Sequence, residues 1–107
     1  GQLTPEALYQ TSWRGTGHCA AWSLKDRGIG IQFVDTQKGK VIWEDYDEFD
    51  ITYTIEGSYI TFNDIAFQLA GAPWVIKSYT KNHITLIQNE ASPDKDKIAT
   101  IELDRVD

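Results

Sequence analysis

Few residues in this 107-residue chain have side chains suited to catalysis or metal binding, and they are scattered. His18 and Cys19 are adjacent, and a histidine beside a cysteine can activate a thiolate. On a strand, however, neighbours point to opposite faces, so these two cannot meet without a bulge. Cys19 reads instead as a small interior residue. His83 follows a turn at Lys81-Asn82 and reads as a surface residue. Two histidines and one cysteine so far apart lack the spacing of a zinc site. The acidic run Glu44-Asp45-Tyr46-Asp47-Glu48-Phe49-Asp50 has carboxylates for a hard cation. It lacks the glycine and the regular oxygen spacing of a calcium loop, and reads as a solvated strand end. Asp94-Lys95-Asp96-Lys97 alternates in sign, as a solvated loop does. There is no Gly-x-Ser-x-Gly elbow, no phosphate-cradling glycine loop before a helix and no paired-histidine helix motif. The expectation is a protein with no catalytic residue, no metal and no cofactor.

Composition narrows the partners. Sixteen acidic residues against ten basic ones leave a formal charge of −6, and no basic cluster stands free of acids. That argues against nucleic acid and against anionic membrane surfaces. No apolar run approaches the roughly 20 residues that a spanning helix needs. A single cysteine makes no intramolecular disulfide, so stability must come from packing. The length suits one domain, residues 1–107. Four Trp, five Tyr and four Phe favour a β-rich core. The chain starts at Gly1 without a methionine, and the natural chain is expected to begin earlier.

The elements that must position these residues are organised around residues 49–62. Ile51, Tyr53 and Ile55 alternate with Thr52 and Thr54, giving one apolar and one polar face. Gly57 reverses the chain by taking a positive φ, and Ile60 and Phe62 resume the apolar face. An isolated hairpin is marginal in water, so this one must belong to a larger sheet. Upstream, Thr4-Pro5-Glu6 begins a helix of about two turns, with Leu3 and Leu8 as a hydrophobic staple. A first strand is expected from Ser12 to Leu24, with Trp13, Gly15, Gly17, Cys19 and Ala21 on one face. Those small residues leave room for other side chains or for a ligand.

A turn is expected at Lys25–Gly28, then a strand carrying Ile29, Ile31 and Phe33, and a turn at Gln37–Gly39. Val41 to Asp47 reads as a third strand, its alternation failing at Asp45. The hairpin supplies the fourth and fifth strands, the fifth reaching toward Phe67, before a loop from Leu69 to Pro73. Trp74 to Thr80, His83 to Asn89 and Ile98 to Val106 complete eight strands. No helix is long enough for a parallel crossover, so the pairing is antiparallel. A closed barrel removes the edges that these strands do little to protect, and is preferred over a sandwich.

A short helix leading into Thr11-Ser12-Trp13-Arg14-Gly15-Thr16, and a meander ending in Ile101-Glu102-Leu103-Asp104-Arg105, resemble the lipocalin-like superfamily. The segments Tyr53–Ile60 and Trp74–Ile84 look like the middle hairpins of its small domains from secreted or lipid-anchored proteins of Gram-negative gut bacteria. The resemblance implies an eight-stranded up-and-down β-barrel with a short N-terminal helix, and an extracytoplasmic lipoprotein tethered through a cysteine upstream of this sequence. It implies that Trp13 closes one barrel end, with Arg105 of the last strand over its ring. Thr11 departs from the family's glycine two places before that Trp. It also implies a non-enzymatic role. Phe33, Trp43, Tyr53, Phe62 and Trp74 would line the interior and hold a small apolar or amphipathic ligand. The alternative is a protein-interaction or accessory module with a filled barrel, using Trp22 and Tyr79 as outer anchors.

Overall fold

The computed structural model describes residues 3–43, 48–63 and 73–107, with the backbone alone at residues 22 and 24. A short helix α1 (Pro5–Leu8) precedes β1 (Thr11–Cys19), β2 (Leu24–Phe33), β3 (Lys38–Trp43) and β4 (Glu48–Glu56). Then follow β5 (Tyr59–Asn63), β6 (Trp74–Tyr79), β7 (His83–Gln88) and β8 (Ala99–Arg105). The eight strands close into one antiparallel up-and-down barrel in sequence order. β1 joins β8 over six residue pairs, from Trp13 opposite Arg105 to His18 opposite Thr100.

Period-two alternation builds the wall. In β4, Ile51 and Tyr53 are buried while Thr52 and Thr54 are exposed. In β7, Ile84 and Leu86 point inward between half-buried His83, Thr85 and Ile87. Gly57 takes φ +60 in the two-residue turn that sets Glu56 opposite Tyr59. One barrel end is stopped by α1. The Thr4 hydroxyl accepts from the Ala7 N–H at 3.2 Å, Pro5 opens the helix, and Leu3 and Leu8 are buried. A four-residue helix has almost no stability of its own, so burial of those two leucines is what holds it in place.

The strand ends differ from expectation where side chains make local turns. β1 stops at Cys19, and a 3₁₀ turn (Ala20–Trp22) ends at Ser23 in the left-handed region, φ 57. Lys25 to Gly28 is therefore part of β2, with a bulge near Asp26 (φ 51), and Ala21 is exposed rather than facing inward. The next turn falls at residues 34–37. The Asp35 carboxylate accepts from the Gln37 and Lys38 N–H groups at 2.8 and 2.7 Å, so Lys38 and Gly39 already belong to β3. A second 3₁₀ turn (Lys95–Lys97) lies in the β7–β8 connection. The irregularity expected at Asp45, the extension of β5 to Phe67 and most of the following loop lie outside the described residues.

Gly15 has a different role from the one its size suggests. An added Cβ would stand 1.6 Å from the carbonyl oxygen of Glu102. Its small size admits the β8 backbone, not a ligand.

Candidate functional site

The five aromatic candidates face the barrel interior. Phe33 lies at the α1 end of β2, Tyr53 and Phe62 are register partners on β4 and β5, and Trp43 and Trp74 sit toward the opposite end. Phe33 and Tyr53 meet edge to face, with ring centroids 4.9 Å apart. The most exposed of the five is Trp43, at 5%. A side chain lining a void large enough for water would retain accessible surface, so these low values describe filled space. Buried Ile29, Ile31, Val41, Ile60 and Ile101 belong to the same cluster as the rings.

Tyr53 ties the interior to a neighbouring loop. Its hydroxyl donates to the Asp35 carbonyl at 2.7 Å. Burial, then the nearby Asp35 and Glu6 charges, push the phenol up to about 12. The Asp35 carboxyl itself is held below its ordinary value by the two backbone N–H groups that it accepts.

At the α1 end the Trp13 indole N–H donates to Thr11 Oγ1 at 2.8 Å, and the Thr11 hydroxyl donates to the Leu8 carbonyl at 2.7 Å. Thr11, at the position where the resembled family has glycine, thus ties Trp13 to the helix. Arg105 lies opposite Trp13 in the β1–β8 register, and its Nε donates to Asp107 at 2.8 Å. That bond lowers the Asp107 pKa. A cation–π contact occurs toward the other end, where the Arg27 guanidinium lies 4.9 Å from the Trp43 ring centroid.

Other titratable residues pair across the outer wall. His83 Nδ1 is 2.7 Å from Asp104 Oδ1, its Nε2 is 3.2 Å from Thr85 Oγ1, and Thr85 donates to Glu102 at 2.8 Å. The spacing resembles a hydroxyl–histidine–carboxylate relay, but it lies on a strand face where Thr85 already donates to Glu102. His18 turns outward to Asp26 at 3.4 Å. Cys19 is buried, its thiol 3.5 Å from the Asp96 carbonyl. The two neighbours therefore point to opposite sides of the wall. Among the described residues no three His, Cys, Asp or Glu side chains gather around a metal-sized space.

Depressions lie on the outer wall. One of about 370 Å³ runs over Gly15, Gly28 and Gly30 between Arg14 and Ile42, and reaches Ile29 and Trp43. Another, of about 260 Å³, is formed by Thr54, Glu56, Tyr59, Thr61 and Pro73. The alternation that marked Tyr53 and Phe62 as inward also marks these intervening residues as outward. The sequence thus carried the signal for the second depression. Tyr79, expected outside, packs against the core, because β6 shifts register between Ile76 and Ser78. The Trp22 side chain lies outside the described residues. Comparison of the chain with protein-family models, curated proteins and solved structures gives no match.

Proposed function

We propose that this chain is a non-enzymatic, lipocalin-like interaction or accessory module. Its barrel interior is a structural core, and its outer wall meets other molecules. The observation that supports this reading most is the near-complete burial of Phe33, Trp43, Tyr53, Phe62 and Trp74 in one cluster with aliphatic residues. A binding barrel keeps a pocket of about 300 Å³ or more for its ligand, whereas these rings fill the interior of an eight-stranded barrel. The extracytoplasmic, lipid-tethered location belongs to the same proposal.

A second reading, a small apolar ligand inside the barrel, draws support from the seam between β5 and β6. Among the described residues its register pairs are Tyr59 with Val75 and Ile60 with Trp74. Native mass spectrometry of the purified chain, with titration of an environment-sensitive apolar dye, separates the two. A single bare mass and no displaceable dye site are expected. A co-purifying lipid, or a saturable dye site lost on Phe62→Ala, would favour the inner pocket instead.

A further inference from the structure

The outer depression at the β4–β5 hairpin combines three features. Tyr59 is 51% exposed, the largest aromatic surface on the described wall apart from Tyr9 near α1. Glu56 is its register partner, so ring and carboxylate stand side by side. Thr54 and Thr61, also partners, add two hydroxyls, and Pro73 closes the far side.

The charges around this cup are one-sided. Glu56 is the charged residue among those lining it. Several carboxylates elsewhere on the wall are engaged, Glu48 with Lys40, Glu90 with Lys77 and Asp104 with His83. Among the described residues nothing pairs with the Glu56 carboxylate or with the Tyr59 hydroxyl. Glu48 and Asp50 extend the acidic character along the exposed face of β4, on a chain of net charge −6. An aromatic face beside an unpaired carboxylate attracts a cation, and repels an anion.

We propose that this cup receives the guanidinium of an arginine presented by a basic segment of a partner protein. Arginine fits the geometry better than lysine does. Its planar group stacks on the Tyr59 ring while its edge N–H groups reach Glu56 and the threonine hydroxyls, a fork that a single ammonium cannot reproduce. This rests on the reading that the outer wall is the working surface, and names the chemistry of what it meets.

Titration of the whole chain with a tetra-arginine peptide, followed residue by residue in ¹H–¹⁵N NMR spectra, tests it. Perturbations are expected to centre on Glu56, Tyr59, Thr54 and Thr61. Glu56→Gln and Tyr59→Thr should each weaken binding about tenfold, and Tyr59→Phe, which keeps the ring, should bind like the parent. Asp50→Asn removes the same charge from the same strand outside the cup and should change affinity less than twofold. Shifts spread over the acidic face, an Asp50→Asn effect equal to that of Glu56→Gln, or undiminished binding by Tyr59→Thr would overturn the proposal. Equal affinity for tetra-lysine would overturn the assignment to arginine. These outcomes leave the dye and mass measurements untouched, so the cup can fail while the filled interior stands.

Discussion

Two glycines show how much a single atom decides. A methyl group on Gly15 would collide with the Glu102 backbone carbonyl, which cannot swing aside without breaking the β1–β8 closure. Gly15→Ala should therefore cost about 3 kcal/mol or more, read as a lower urea midpoint. Gly30 meets nothing closer than 3.6 Å, and its φ is not positive. Gly30→Ala should raise stability by about 0.5 kcal/mol. Opposite signs from one substitution would separate close backbone approach from mere smallness, which the sequence could not do, because both residues read alike on an alternating strand. Tyr53 is a third such case. Its phenol is raised to about 12, so between its ordinary value near 10 and that value the folded state holds a proton that the unfolded chain releases. The stability that Tyr53 contributes is whole below pH 10 and is lost as pH climbs through 12. Denaturant melts across that window should show the decline in the parent and a shallower one in Tyr53→Phe.

At the scale of elements, the joint between α1 and β1 depends on the hydroxyl of Thr11. It accepts from Trp13 and donates to the Leu8 carbonyl, closing an interior end with paired polar groups. Thr11→Val keeps the shape and strands both partners, which should destabilise by about 1–3 kcal/mol and shift Trp emission. Capping residues, alternation and Gly57 made the helix and the strand count legible in the sequence. Element boundaries were less so, because local turns set them: the Asp35 carboxylate begins β3 three residues early, and Ser23 in a left-handed conformation ends the 3₁₀ turn between β1 and β2. Tyr79 was misplaced for a related reason. A bulge adds one residue, and every side chain beyond it changes face.

Across the whole molecule, the barrel followed from eight alternating segments joined by short turns, with no crossover helix. Whether such a barrel is hollow is harder to read, since a packed core and a lined pocket demand the same apolar residues at the same positions. The answer depends on summed volumes, and here Trp43, Trp74, Tyr53, Phe33 and Phe62 are all buried within one cluster, Phe33 and Tyr53 in edge-to-face contact. Xenon-pressurised crystals of the natively purified protein examine that interior most directly, because an apolar void large enough for a ligand takes up xenon. Continuous side-chain density and no xenon among those five rings are expected. A xenon atom, or the tail of a co-purified lipid, lying between Tyr53 and Phe62 would contradict it.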